Sequence, residues 1–262
     1  MTTRILLLDA GNTRLKWAVV DAALIKPGEH DGHLSESAPW IAQGAATYDA
    51  LDTLPALWQQ WGTLSRCYAI SVVSDATVSV IQHLMAGIDL KPAWLKTCAS
   101  ACGVSNNYHP PESLGADRWA ALLAARHRTR DAALVISAGS ALTVDALHAD
   151  GQFLGGIIVP GWQTMRRALA HSTAQLGVQY GNVRAFPTTT ADAVESGIMA
   201  ACLGAIATMR GHLEKHGGVE PRIFFTGGDA ASLAPFLSPG FNMVPGLALE
   251  GVYYMALEDG ST

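Results

Sequence analysis

The feature that most constrains the fold of this chain is a pattern that occurs twice. A buried strand runs into a short turn of small residues and is followed by a second strand, first in residues 5–20 and again in residues 132–148. Runs of consecutive aliphatic residues, such as residues 5–8, are typical of strands that are covered on both faces. The repeat predicts two similar α/β lobes that face each other across a cleft, each beginning with a hairpin.

Outside the two hairpins, the pattern of hydrophobic residues predicts the other helices and strands of both lobes. Ser74 and Thr190 are predicted to cap helices, because their hydroxyls can accept bonds from free backbone N–H groups. Residues 103–114 are the clearest linker-like stretch, so we expect one lobe over residues 1–114 and another over residues 115–262. Further strands are predicted within residues 22–46, at 67–73, 93–95, 153–159 and 223–225 and near 243, and helices at 48–61, 75–85, 116–127, 163–174, 190–215 and 247–257.

Composition narrows the class of protein. Of the 262 residues, 49% are hydrophobic and 15% are charged, which is typical of a compact globular protein. The formal net charge of −5 argues against nonspecific nucleic-acid binding, which needs a basic surface. Uninterrupted apolar runs fall short of the roughly 20 residues of a membrane span, and the first residues lack a signal-peptide layout. We therefore expect a cytoplasmic protein with no nucleic-acid or membrane partner.

Several frequent functional patterns are missing from the sequence. It contains neither G-x-x-x-x-G-K-[ST] nor G-x-G-x-x-G, the motifs of two common nucleotide-binding folds. The four cysteines do not form a disulfide framework. Cys98 and Cys102 have a C-x3-C spacing, but the second pair that a zinc site needs is missing. Buried or partly buried thiols are the better interpretation.

The first hairpin carries groups that suit a metal-bound polyphosphate. Asp9 ends the buried strand, Gly11 leaves backbone N–H groups accessible, and Lys16 adds a positive charge. An ordinary hairpin with an Asx-type turn explains the same residues. Glycine turns also follow buried strands at Gly139 and at residues 227–228, and three such turns favour a nucleotide site.

A second polar segment ends in an acidic residue, Asp117, followed directly by a basic one, Arg118. Together they offer a potential general base and a clamp for an anionic substrate. Helix capping is the alternative for Asp117, because an acid in the first turn complements the helix dipole. Arg118 opposes that dipole, so we expect it to have a partner.

Taken in order, these motifs resemble those of the type III pantothenate kinases, a family of the acetate and sugar kinase/Hsp70/actin superfamily. Residues 9–16 resemble the family's first phosphate motif, D-x-G-N-T-x-x-K, and residues 139–145 its second, usually G-T-A-x-T-x-D. Tyr108 and residues 114–118 resemble the pantothenate-binding segment. Residues 155–161, residues 226–229 and Thr190, seven residues before Gly197, also fit.

The resemblance implies an α/β fold of duplicated ribonuclease H-like (actin-like ATPase) lobes with a cleft between them. It implies an enzyme that uses ATP and Mg²⁺ to phosphorylate pantothenate to 4′-phosphopantothenate, the first step of coenzyme A biosynthesis, and that forms a homodimer. Asp117 would be the general base, Arg118 would pair with the substrate carboxylate, and Asp9 would position Mg²⁺ through the phosphates. The implied pantothenate contacts are Tyr108, Gly115, Ala116, Asp117, Arg118 and Thr190. The implied ATP contacts are Asp9, Ala10, Gly11, Asn12, Thr13, Arg14, Leu15, Lys16 and Ser140.

Two positions depart from the family pattern. Ser137 stands where the family has an aspartate that helps to bind a monovalent cation, K⁺ or NH₄⁺. A neutral hydroxyl is a poorer ligand for a hard cation than a carboxylate, so this position leaves a monovalent-cation requirement open. Ser140 replaces the usual threonine and keeps the hydroxyl.

Two other functions fit the same fold. A regulatory or accessory protein would retain the lobes and lose turnover, but Asp9 and Asp117 are both present, which favours the enzyme. A sugar or acetate kinase of the same superfamily is disfavoured by the pantothenate-like segment around Asp117.

Overall fold

The computed structural model describes residues 3–24, 39–172, 181–217, 220–237 and 239–259. The chain forms two compact units, one of residues 1–130 with 246–262 and one of residues 131–245. Parts of the strand expected within residues 22–46, of the helix expected at 163–174 and of the loop that follows it lie outside the described residues.

The first unit is built on a five-stranded sheet. β1 (Thr3–Ala10) runs antiparallel to β2 (Leu15–Asp21) and parallel to β4 (Thr63–Ser71). Adding β3 (Ala42–Ala46) and β5 (Pro92–Trp94) gives the order β3-β2-β1-β4-β5. The last six residues of β1 are all buried, which confirms the prediction of a strand covered on both faces.

Helices complete the first unit. Ser74 caps α2 (Asp75–Ala86), accepting a bond from the Thr77 N–H, as predicted. The helix expected over residues 48–61 is shorter: a 3₁₀ turn comes first, and α1 (Leu54–Gln59) starts only where a proline stands in its first turn. The described part of this unit also contains the α-helices α3 (Ala116–Arg128) and α7 (Leu247–Asp259).

The packing of α3 explains why the units do not divide after residue 114. α3 packs along α7, and both belong to the first unit. Arg128 makes two bonds of 2.7 Å to the Glu250 carboxylate, and a Cβ on Gly251 would lie 1.9 Å from the Ala120 carbonyl oxygen. The linker-like stretch before α3 holds a small hairpin, β6 (Ser100–Ala101) with β7 (Val104–Asn106).

The second unit repeats the sheet of the first. Its strands are β8 (Ala133–Ala138), β9 (Ala141–Leu147), β10 (Gln152–Pro160), β11 (Arg222–Thr226) and β12 (Phe241–Met243). They lie in the order β10-β9-β8-β11-β12. As in the first unit, the opening strand is antiparallel to the second and parallel to the fourth. The predicted duplication of an α/β lobe is therefore confirmed.

Among the residues of the second unit that the structure describes, three α-helices form: α4 (Trp162–Ser172), α5 (Thr190–Gly217) and α6 (Ala230–Leu233). Within the described part of the chain, α5 alone is long and apolar enough to cross a membrane. It packs on α4 and on strands of the unit's sheet, and its buried Glu195 pairs with Arg166 of α4. One face of α5, which includes Met199, Cys202 and Ile206, therefore belongs to the unit's hydrophobic core.

The prediction that Thr190 caps α5 is wrong by one residue. The hydroxyl of Thr189 accepts the bond from the Asp192 N–H, at 3.2 Å. Thr190 is the first residue of the helix, and its side chain is exposed. Residues 188–190 are three consecutive threonines and fit the capping pattern equally well, so the sequence does not show which of them is the cap.

Candidate active site

Asp9 and Lys16 form the charged part of the first hairpin. They are direct partners in the β1–β2 register, and Lys16 Nζ donates to Asp9 Oδ2 at 2.9 Å. The Asp9 side chain is only 1% exposed, whereas that of Lys16 is 41% exposed. Among the described residues Asp9 Oδ1 is buried without a hydrogen-bond partner.

An unpartnered buried carboxylate oxygen is costly unless a ligand satisfies it. Mg²⁺ is commonly held by one or two carboxylates together with substrate phosphates. The free oxygen of Asp9 therefore fits the divalent cation that the sequence predicts at this position. In the described ranges no group of three or more His, Cys, Asp or Glu side chains could hold a metal on its own, so such an ion would depend on its phosphate ligands.

The turn between β1 and β2 leaves its backbone accessible. Gly11 has no side chain, and the side chains of residues 12–14 are exposed. Ala10 and Leu15, also predicted ATP contacts, have fully buried side chains in the first unit's core. Ala10 and Leu15 can therefore reach a nucleotide only through their backbone.

Asp117 lies in the first turn of α3, and the charges of the first hairpin shift its pKa. Burial and the negative charge of Asp9 raise its pKa, while the Arg118 N–H and the charge of Lys16 lower it; the net pKa shift is upward. Asp117 Oδ1 accepts the Arg118 N–H at 2.8 Å. A Cβ on Gly115 would lie 2.9 Å from the same oxygen, so the glycine makes room for the carboxylate. Within the first unit, the predicted base and the predicted phosphate turn interact electrostatically.

Arg118 has the partner that its unfavourable place at a helix start led us to expect. The side chain is buried, 6% exposed, and its Nη1 donates to the Tyr108 hydroxyl at 3.0 Å. The guanidinium carbon also lies 5.6 Å from the centroid of the Tyr108 ring. The structure thus brings together Tyr108, Gly115, Ala116, Asp117 and Arg118 of the predicted substrate segment.

Sequence reasoning missed Asn106, which organises this segment. Its side-chain amide donates to the carbonyls of Cys98 and Pro111, at 3.2 and 3.0 Å. Its side-chain oxygen accepts the N–H of Tyr108 at 3.1 Å. Asn106 stands two residues before Tyr108, which is the spacing of an Asx turn; that spacing is the one local signal in the sequence.

The predicted second phosphate motif forms a tight set of turns in the second unit. The Gly161 N–H and the Thr164 hydroxyl both donate to the Ser140 carbonyl, at 2.9 and 2.7 Å. A Cβ on Gly161 would lie 1.8 Å from the Gly139 carbonyl oxygen, and one on Gly227 would lie 2.1 Å from the Ala138 carbonyl oxygen. Gly227 has a φ of +102°. Three turns therefore meet at the end of β8, and glycines permit their contact.

The remaining predicted site residues also belong to the second unit. Ser137 is partly buried in β8, in register with Thr143 on one side and Thr226 on the other. Ser140 is exposed. All four cysteines are free thiols, two buried and two partly buried, as the sequence predicts.

The duplicated sheet defines the class of this protein: an α/β protein with the actin-like ATPase fold. Solved structures share this fold. A Baf family transcriptional activator from Campylobacter jejuni has a TM-score of 0.62 at 19% identity, covering 98% of this chain and 100% of that one. An ADPNP-bound activator of 2-hydroxyisocaproyl-CoA dehydratase from Clostridium difficile has a TM-score of 0.51 at 12% identity, covering 98% and 95%.

Sequence comparisons give the particular family. The family model for type III pantothenate kinase matches residues 5–212. Type III pantothenate kinases of Thiobacillus denitrificans and Aromatoleum aromaticum are 41% and 40% identical, covering 97% of both chains in the first case and 98% and 99% in the second. The chain belongs to the type III pantothenate kinase family. It is a kinase that phosphorylates pantothenate with ATP in coenzyme A biosynthesis.

Proposed function

We propose that Asp117 is the general base of this reaction and that the first hairpin holds the phosphates of ATP. The observation that carries the proposal is the buried Asp9 carboxylate, whose Oδ1 has no hydrogen-bond partner in the described structure and whose negative charge raises the pKa of Asp117. Phosphoryl transfer depends mainly on alignment and charge neutralisation. A base beside the phosphate site aligns the hydroxyl that attacks. The first hairpin neutralises the charge on the phosphates.

In this mechanism Asp117 accepts the proton of the primary hydroxyl as its oxygen attacks the γ-phosphorus. The new oxygen–phosphorus bond forms, the bond to the bridging oxygen of ATP breaks, and ADP leaves. The raised pKa of Asp117 makes its carboxylate a stronger base than that of an exposed aspartate.

The first hairpin neutralises charge on the phosphates. Asp9 Oδ1 would hold Mg²⁺, which would supply positive charge to the phosphates when bound. Lys16, more exposed than Asp9, would contact phosphate oxygens directly. Asn12, Thr13 and Arg14 would add contacts from their exposed side chains, and Ala10, Gly11 and Leu15 from their backbone.

Arg118 would bind the carboxylate of pantothenate, with Tyr108 orienting it. A buried guanidinium that already stacks on an aromatic ring is held rigidly and pairs well with a carboxylate. Gly115 and Ala116 would line the same subsite, and Thr190 would add a hydroxyl. Ser140 is proposed as the ATP contact of the second unit. The proposal also includes a homodimer acting in the cytoplasm, with Ser137 weakening any K⁺ or NH₄⁺ site.

A substrate pair tests the carboxylate assignment. Pantothenyl alcohol carries the same reactive hydroxyl as pantothenate but has no carboxylate. In a coupled ADP-release assay, Arg118→Met should raise the KM for pantothenate roughly 10- to 100-fold, the value of a charge-assisted bond. It should change the KM for pantothenyl alcohol by less than about threefold.

The ratio of the two KM values controls for general damage to the fold. An equal rise for both substrates would contradict the role of Arg118. No pantothenate-dependent ADP release from the wild-type enzyme, with K⁺, NH₄⁺ or neither present, would contradict the proposed function as a whole.

A further inference from the structure

We propose that Tyr48 is a positioning residue for ATP, because its hydroxyl fixes the first peptide of the phosphate-binding turn. Tyr48 Oη donates to the carbonyl oxygen of Gly11 at 2.7 Å, across 37 residues of sequence. The preceding strand β3 brings it there: Ala46, the last residue of β3, pairs in register with Leu15, the first residue of β2.

The turn itself offers little side-chain packing. Gly11 has no side chain, and residues 12–14 expose theirs, so side-chain packing does not fix the turn. In a trans peptide the carbonyl and the following N–H point in opposite directions. A fixed Gly11 carbonyl therefore sets the direction of the Asn12 N–H, which would donate to a phosphate.

The Tyr48 ring is itself held by the core. It packs on the cluster that covers one face of the first unit's sheet, which includes Trp17, Leu51 and Leu54. Burial and the negative charge of Asp9 raise the pKa of Tyr48 to about 12. The hydroxyl therefore stays protonated, and able to donate, throughout the neutral range. A Cβ on Gly11 would lie 4.0 Å from Asp9 Oδ1, so the residue that accepts the Tyr48 bond lies beside that carboxylate.

This inference rests on the proposed phosphate role of the first hairpin. It makes a separate prediction, however, because Tyr48 would act on ATP through the turn and would not touch pantothenate. Loss of the hydroxyl should raise the KM for ATP, and it should leave the KM for pantothenate and kcat at saturating ATP nearly unchanged.

Tyr48→Phe tests the inference, since it removes the hydroxyl and keeps the ring. We expect the KM for ATP to rise about 3- to 10-fold, the value of one neutral hydrogen bond. The KM for pantothenate and kcat should change by less than about twofold. Tyr253→Phe is the matched control, because it removes a tyrosine–carbonyl bond elsewhere in the same unit, from Tyr253 to Leu24, and should leave all three constants unchanged.

An unchanged KM for ATP in Tyr48→Phe would overturn the inference, and so would an equal rise in both KM values accompanied by a lower melting temperature. Lys16→Ala, assayed in parallel, separates this result from the proposed function. If Lys16→Ala raises the KM for ATP and Tyr48→Phe does not, only the inference fails. If Lys16→Ala has no effect on the KM for ATP, the phosphate role of the hairpin fails.

Discussion

Lys16 satisfies one oxygen of the buried Asp9 carboxylate and leaves the other without a partner in the described structure. The two residues face each other across β1 and β2. An ion pair contributes little to stability when one oxygen of its buried carboxylate has no hydrogen-bond partner. We therefore interpret the buried charge of Asp9 as functional. The free oxygen lies next to the turn that we assign to the ATP phosphates.

Asp9→Asn should impair catalysis through the metal. The amide retains the size of the carboxylate and an oxygen for Lys16, but it loses the charge that holds Mg²⁺. We expect kcat/KM for ATP to fall about 100-fold or more, from the loss of several kcal/mol of charge stabilisation. The Mg²⁺ concentration for half-maximal rate should rise, as measured by titration at fixed ATP. Asp21→Asn, which breaks an ion pair with Arg4 on the same two strands, should titrate like the wild type.

The raised pKa of Asp117 predicts an acid limb in the pH–rate profile. The base must be ionised, so kcat/KM for pantothenate should fall as pH drops through its pKa, which lies above the ordinary 3.8. A profile measured from pH 4 to 9 at saturating ATP checks this expectation. A rate independent of pH across that range, with the enzyme still folded, would contradict it.

The same shift links Asp117 to stability. A group whose pKa is raised by folding favours the folded state below its unfolded value and loses that contribution as pH rises through the folded value. The ionised Asp117 carboxylate therefore lowers the free energy of unfolding at neutral pH, and Asp117→Asn removes this destabilisation. Urea unfolding should show Asp117→Asn to be more stable than the wild type at pH 7, with the difference disappearing towards pH 4. A less stable variant at pH 7 would contradict the direction of the shift.

Asn106→Ala should weaken pantothenate binding and leave ATP binding intact. The change removes the bonds to Cys98, Pro111 and Tyr108, so the Tyr108 ring loses its fixed position beside Arg118. We expect the KM for pantothenate to rise about tenfold and the free energy of unfolding to fall by about 1–3 kcal/mol. Ser105→Ala, an exposed neighbour on β7, is the control and should change neither. A rise in the KM for ATP of the same size would contradict the assignment.

Two glycine substitutions separate a required glycine from a tolerant one in the second unit. Gly161→Ala would place a Cβ 1.8 Å from the Gly139 carbonyl oxygen, so the turns must move apart. Thermal unfolding should show a loss of about 2 kcal/mol or more. Gly204→Ala lies in α5 with open space around its Cβ and should gain about 0.5–1 kcal/mol from helix propensity. Equal effects of the two changes would contradict the packing of the turns.

Features set by local patterns could be predicted from the sequence. The aliphatic runs of β1 and β8 and the small residues after them predicted both hairpins. Ser74 followed by Asp75 predicted the start of α2. The unfavourable place of the Arg118 charge at the start of a helix predicted that this side chain has a partner, but not that the partner is Tyr108. Each of these signals lies within a few residues of the structure that it specifies.

Contacts between distant segments could not be predicted in this way. Tyr48 reaches Gly11 from 37 residues away, and Glu250 reaches Arg128 from 122 residues away. No periodicity records such pairs, because they depend on how β3 and α7 pack. The pair of Arg128 and Glu250 also explains the boundary between the two units, because it joins α3 to α7 within the first unit.

The most direct test of the account is the turnover of Asp117→Asn in the coupled ADP-release assay with saturating ATP, Mg²⁺ and pantothenate. The variant keeps the size of the side chain and lacks a base, so kcat should fall about 10²- to 10⁴-fold. Circular dichroism and the KM for ATP should remain those of the wild type. Turnover within about threefold of the wild type would show that Asp117 is not the base and would contradict the mechanism.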